Sequence, residues 1–337
     1  MTAPSPHPFS RFVAILGRGK TKQRHLTFDE AYDSMGMVLR NEVLPEQLGA
    51  FLMLLRLKEE GPDEIAGFAA AAKALYQLPS DLPKVDIDWS TYAGKRIQLP
   101  WFVLSVMALV NAGYSVTMHG TEGHTPGRVY TREIIELFGL PLANSLDEAA
   151  AQVRNGGFSY IPLEVLSPRL RELIDLRPIF GLRSPVHTFS RMLNPFNADT
   201  MMQGIFHRGF MEIHAGAAQT LGQSRMSVFR GEGGEIERRP NKPTPVWMTH
   251  GQEDEPIIET WPQQLENGHQ PPDEDMNVAR LLDVWKGTSD DPYALASITG
   301  TIAVTLRTMG KADSIEAAEA LAQDVWASRD KGFLPRP

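Results

Sequence analysis

The residues in this 337-residue chain most able to do chemistry are clustered cations. Between positions 169 and 191 stand Arg169, Arg171, Arg177, Arg183 and Arg191, with His187 among them. On a helix Arg183, His187 and Arg191 step by four and share one face. Such a face of donors binds phosphate or, equally, pairs with acids across an interface. A second group opens the chain, where Gly17-Arg18-Gly19-Lys20-Thr21 follows an apolar run. It looks like the end of a phosphate loop, but the upstream glycine of that pattern is missing: Ala14 and Leu16 stand there instead. Arg18, Lys20, Lys22 and Arg24 suit a basic segment that neutralises phosphates without reading bases, against the plain alternative of a solvated turn.

Three further sets carry weaker chemistry. His119, Glu122 and His124 lack a third metal ligand at familiar spacing, which favours structural or anion-facing histidines. Ser184 and Ser190 lie near His187 without the Gly-x-Ser-x-Gly elbow that acyl transfer uses. Gly231-Glu232-Gly233-Gly234-Glu235 follows a β-like run, so its two carboxylates would sit at a strand's C-terminal end, where α/β folds place ligands. Glu232 and Glu235 could hold Mg²⁺ with phosphates. Arg238, Arg239 and Lys242 follow, and an ordinary surface loop is the competing interpretation.

Composition narrows the options. Hydrophobic residues make up 42% and charged residues 22%, the balance of a globular protein. No apolar stretch approaches the roughly 20 residues of a membrane span, and the start of the chain has no secretory signal core, so a cytoplasmic location is expected. Cysteine is absent, which excludes disulfides, thiolate metal sites and a cysteine nucleophile. The net charge of −8 hides an asymmetry, with five cations and no acid in residues 1–25 but eleven acids against two cations in residues 250–292. A polyanion responds to where positive charge lies rather than to its total.

The elements that must position these groups divide in two. Residues 27–78 have helical signals: a capping box at Thr27-Phe28-Asp29-Glu30, a start at Pro45, and a stop and restart at Gly61-Pro62. Leu78 to Trp89 suggests a crossover linker. Beyond residue 90 the pattern alternates. An apolar helix follows Pro100 and ends at Asn111, a strand runs from Tyr114 to Met118, and a helix from Thr131 closes at Gly139. Phe158–Leu163 and Arg225–Phe229 have strand character, residues 232–275 predict long irregular excursions, and 294–309 and 314–328 predict helices. This alternation predicts a mostly parallel sheet.

The order of these pieces resembles the anthranilate phosphoribosyltransferase-like family, which includes the pyrimidine nucleoside phosphorylases. Leu44-Pro45-Glu46-Gln47-Leu48, Asp63 to Gly67, Val116-Thr117-Met118-His119-Gly120, and Arg183 through Leu193-Asn194-Pro195 carry the likeness. It implies an α/β fold with a small N-terminal helical domain, a larger α/β domain with a mostly parallel sheet, and a cleft between them. The expected domains are residues 1–85, joined by part of 175–200 and used for homodimerisation, and residues 86–337.

The departures point away from the family's reaction. Where those enzymes hold a sugar diphosphate with Gly-Thr-Gly-Gly-Asp and Asn-x-Ser-Thr, this chain has Ala93-Gly94-Lys95-Arg96-Ile97-Gln98-Leu99 and Pro100-Trp101-Phe102-Val103. Their Mg²⁺-binding Asp-Glu pair aligns with Gly234-Glu235, and the Asn after His-Gly is Thr121. The pattern is similar to the YbiB-like subfamily, which implies sequence-nonspecific DNA or RNA binding by a catalytically silent homodimer. Arg18, Lys20, Lys22, Arg24, Lys95, Arg96, Arg183, His187, Arg191, Arg238, Arg239 and Lys242 are the expected phosphate contacts, with no cofactor and no membrane partner. The alternative is a glycosyl or phosphoribosyl transferase with an altered acceptor. It would use His119, Gly120, Thr121 and Arg183 at the substrate and Glu232 and Glu235 for Mg²⁺. An open cradle at 94–102 would favour the enzyme; a cradle filled by Trp101 and Phe102 would not.

Overall fold

The Thr27 hydroxyl accepts from the Glu30 amide at 3.3 Å while the Glu30 carboxylate accepts from the Thr27 amide at 3.0 Å. Two orphan amides are thereby satisfied, and helix α2 (Phe28–Leu39) begins where the capping box places it. Pro45 and Pro62 stand at the first positions of α3 (Pro45–Lys58) and α4 (Pro62–Lys73), where a missing N–H costs nothing. With α1 (Ser10–Gly17) these form a four-helix N-terminal layer. The computed structural model describes residues 5–19, 21–251, 255–266, 273 and 275–332.

A seven-stranded sheet follows, in the order β3-β2-β1-β4-β5-β6-β7. Strands β1 (Ile87–Thr91), β2 (Val116–Gly120), β3 (Phe158–Pro162), β4 (Thr200–Ile205) and β5 (Arg225–Arg230) pair in parallel. Strands β6 (Thr244–Thr249) and β7 (Ile257–Trp261) extend it antiparallel. The fold is thus a small helical bundle plus an α/β domain with a mostly parallel sheet. Two positions differ from the sequence expectation. The Pro-spaced linker gives way to β1 at Ile87, and β6 and β7 lie inside the segment expected to be irregular.

Alternating side chains build two cores. Met201, Met226 and Val228 face the side covered by α1–α4, α7 (Leu146–Gly156), α9 (Pro168–Asp175) and α12 (Phe210–Thr220). Met202, Phe229 and Val246 face the opposite side, under α5 (Phe102–Asn111), α6 (Thr131–Phe138), α13 (Arg280–Lys286), α14 (Pro292–Thr308) and α15 (Ile315–Ala327). Between α7 and α9 runs the short α8 (Leu163–Leu166). An aromatic chain of Phe9, Phe51, Phe68 and Phe189, with ring centroids 5.1–6.1 Å apart, ties the N-terminal helices to α11 (Val186–Phe189), which follows α10 (Arg177–Phe180). The loops after β1, β2, β4 and β5 therefore meet at one end of the sheet, beside α3. Among the described residues no helix is long and apolar enough to cross a membrane.

Candidate anion-binding cleft

The loop after β1 turns a row of backbone amides toward one place, as a phosphate cradle does. Glutamates of this chain occupy it. Glu235 Oε1 accepts from the Ala93 and Gly94 amides at 2.7 and 2.6 Å. Glu232 accepts from the Arg96, Ile97 and Gln98 amides at 2.9, 2.6 and 3.2 Å. Glu237 accepts from the Phe102 amide at 2.9 Å. Trp101 and Phe102 are fully buried, so the cradle is not open. Gly94 holds a left-handed φ of +68°, and a Cβ there would meet the Tyr130 ring at 2.9 Å.

Lys95, expected at the surface, is instead the counter-charge of this arrangement. Only 1% exposed, its ammonium lies 2.5 Å from Glu237 and 3.0 Å from Glu232. Burial alone would depress it, but the two carboxylates outweigh burial and hold it above the ordinary lysine value. Glu232 is kept below its ordinary value, because Lys95 and the loop amides overcome the cost of burying it. A Mg²⁺ ion does not fit here, since on Glu232 it would displace the Lys95 ammonium. Among the described residues no three His, Asp or Glu side chains gather as a metal site.

The same loops turn carbonyls and hydroxyls the other way, toward arginines. Arg128 donates to the Ala93 and Gly94 carbonyls at 2.8 and 3.2 Å, and Arg191 donates to the Gly234 carbonyl at 2.8 Å. Arg177 donates to the His124 carbonyl and, at 2.6 Å, to the Thr125 hydroxyl, which Arg183 also reaches at 2.9 Å. With Arg56 of α3 these guanidiniums line a cleft between the helical layer and the strand ends. None of the five forms an ion pair with a carboxylate among the described residues, although Glu235 supports Arg191 electrostatically from behind. Burial, then the charges of Arg128, Arg177 and Arg191, push Arg183 down to about 10. Burial, then the charges of Arg183, Arg177 and Arg191, hold His124 down to about 4, so this histidine is neutral at pH 7. His187 lies well below its usual value through burial and the nearness of His124 and Arg183. Its Nε2, with Ser184 Oγ and Arg128 Nε, is buried without a partner. Guanidiniums without ion-paired acids and buried polar atoms without partners give this cleft a concentrated positive potential.

Arg183, His187 and Arg191 do converge, though not on one helix: Arg183 precedes α11 and Arg191 follows it in a 3₁₀ turn, yet all three border the cleft. Arg239 and Lys242 stand at a neighbouring basic pocket with Arg208 and Arg230. Arg238 does not join them. It is fully buried, 2.7 Å from Glu319, and lies over the Trp261 ring. Arg24 is held in a two-point ion pair by Glu30 at 2.6 and 2.7 Å. Arg18, Lys22 and Arg96 are exposed, and Lys20 lies outside the described residues. His119 is buried between the Tyr92 hydroxyl at 2.8 Å and Asp88 at 3.4 Å and is not among the residues that line the cleft. Thr121 is buried and accepts from Arg171 at 2.8 Å. At Gly120 a Cβ would lie 2.0 Å from the Thr91 carbonyl, so close strand packing explains this glycine. Arg56, Arg128, Arg208 and Arg230 carry no local signal in the sequence. Their distinction is the lack of an ion pair among the described residues, which only the fold reveals.

Residues 14–75 match the helical bundle domain of the glycosyl transferase family. The chain is 25% identical over 304 residues to the anthranilate phosphoribosyltransferase of Dictyoglomus thermophilum, covering 87% of this chain and 88% of that one. It is 26% identical over 238 residues to the uncharacterized protein YbiB of Escherichia coli, covering 69% and 74%. Its fold superposes on the crystal structure of anthranilate phosphoribosyltransferase from Thermus thermophilus with a TM-score of 0.76 at 22% identity, over 96% and 95% of the two chains. The Saccharomyces cerevisiae enzyme in complex with PRPP and Mg superposes at 0.75 with 16% identity, over 96% and 94%. The resemblance to anthranilate phosphoribosyltransferase in sequence and fold therefore spans most of the molecule.

Proposed function

We propose that this anthranilate phosphoribosyltransferase-like protein binds DNA or RNA through its phosphates, without sequence preference, and carries out no phosphoribosyl transfer. One observation carries the reading: the amides of the 93–102 cradle are taken by Glu232, Glu235 and Glu237, while none of the arginines of the adjacent cleft is ion-paired to a carboxylate among the described residues. A diphosphate entering the cradle would have to expel three carboxylates and meet their charge. A polyanion in the cleft would meet cations and, among the described residues, no lining carboxylate. Each charge-assisted hydrogen bond to a phosphate contributes about 1.5–3 kcal/mol, so a handful suffices for tight binding. No cofactor takes part. We further propose a homodimer that presents the cleft twice, in the cytoplasm.

The test is a titration of labelled oligonucleotides of unrelated sequence at several salt concentrations. Affinity is expected to be alike for all sequences and to fall with log salt by about 0.9 per phosphate contact on duplex and about 0.7 on single strands. Weak binding at low salt, together with phosphoribosyl transfer to an acceptor, would return the protein to the enzymes.

A further inference from the structure

Phe206 directly follows β4 as a large apolar ring that is 48% exposed, at the edge of the cleft. On one side it lines the cleft beside Arg56 and Arg183. On the other, the Arg230 guanidinium stands 5.4 Å from its ring centroid. His207 meets it edge-on at 4.9 Å. Beyond Arg230 lies the second pocket, lined by Arg208, Arg239 and Lys242 among polar and proline neighbours. None of these four cations forms an ion pair among the described residues, and the Nε atoms of Arg230 and Arg239 are buried without a partner. Burial, then the charges of Arg230 and Arg208, hold Arg239 below its ordinary value.

We infer that the nucleic acid is single-stranded, with one unpaired base stacked on Phe206 and the phosphates on either side held by Arg183 and by the Arg230–Arg239 pair. This rests on the phosphate-binding reading above and goes further, because it requires the bases as well as the backbone. Guanidiniums alone would suit any polyanion. An exposed aromatic face between two sets of them suits a chain that offers a π-face between successive phosphates, as single strands do. A duplex presents phosphates but hides its base faces in the stack, and exposing one means unstacking a step. Stacking accepts every base, so the reading keeps sequence indifference.

The experiment uses the full-length protein and three labelled probes of equal length: a single-stranded oligodeoxynucleotide, its duplex, and an abasic sugar–phosphate oligomer. Phe206→Ala is expected to weaken single-strand binding by about 5- to 150-fold, the range of one lost base stack. Abasic and duplex binding, and the salt slope, should stay as they were. Phe206→Tyr should restore single-strand affinity, whereas Phe206→Leu, apolar but without a π-face, should not. An equal loss on all three probes, or rescue by leucine, would overturn the stacking role. So would unchanged single-strand affinity, which would leave phosphate binding itself intact. If the unaltered protein bound none of the probes at low salt, the phosphate-binding reading would fail instead.

Discussion

Two regions meet at the end of this sheet and solve opposite problems. In the cradle at 93–102, donors that could hold a ligand's anion are filled by the chain's own Glu232, Glu235 and Glu237, with Lys95 buried as counter-ion. In the cleft beside it, Arg56, Arg128, Arg177, Arg183 and Arg191 are gathered at the cost of mutual repulsion and left without an ion-paired acid among the described residues. A buried ion pair costs desolvation that its Coulomb attraction roughly repays. An unpaired cluster of cations is repaid only when an anion arrives. The first arrangement closes a site; the second keeps one open. Elsewhere in the molecule arginines are routinely neutralised, as Arg132 is by Glu122 and Glu164 and Arg307 by Glu259. The lack of ion-paired carboxylates in the cleft is therefore the informative feature.

The comparison can be broken most sharply at Lys95. Lys95→Met strands Glu232 and Glu237 and should cost about 3–5 kcal/mol of stability in urea unfolding. Oligonucleotide affinity of the folded protein should not change. Lost affinity at unchanged stability would make Lys95 a ligand contact and erase the distinction between the two regions.

Glu60 sharpens it from the other direction, as a buried acid without the cradle's donors. Burial pushes it up to about 7, and Arg56 only partly offsets this. In the unfolded chain it ionises near its ordinary value of about 4.3. As pH rises between these values the unfolded chain releases the proton while the folded one keeps it. Stability therefore falls across that window, by roughly 3 kcal/mol once both forms are ionised. Glu60→Gln should flatten the Tm profile between about pH 4 and 7. A profile identical to that of the parent would contradict the assignment.

In the cleft, Arg183→Ala should weaken every oligonucleotide alike, by roughly tenfold to a hundredfold, and lower the salt slope by about 0.7–0.9. A loss confined to one sequence would mean base readout. The smallest effect is expected at Arg24, already neutralised by Glu30. Arg24→Ala should cost less than about 1 kcal/mol of stability and leave affinity unchanged, as checked by thermal melts and the same titration.

The sequence made the local parts of this structure legible. Thr27, Pro45, Pro62 and Gly139 act on their own neighbours, and each marks its helix end within a residue or so. Strands were visible where β-branched or aromatic residues gather, as in β2, β3 and β5. They were hidden where pairing comes from a distance: β4 carries Met, Gln and Gly, and β6 and β7 lie in a stretch rich in Pro, Gly and acids yet are held by β5. The site divides the same way. Arg183, His187 and Arg191 are close in sequence and share the cleft. Lys95 and Arg238 look like free cations because their partners, Glu237 and Glu319, stand 142 and 81 residues away. Which arginine is paired is a property of the fold rather than of any local pattern.

The central claim is that anions enter the cleft and not the cradle. Its most direct test is the affinity of a labelled single-stranded oligonucleotide measured with and without phosphoribosyl diphosphate and Mg²⁺ at concentrations that saturate the related transferases. The account predicts the same affinity in both, apart from the shift that the added ionic strength alone produces. Saturable displacement beyond that shift would show that the cradle opens to the diphosphate and would contradict the account.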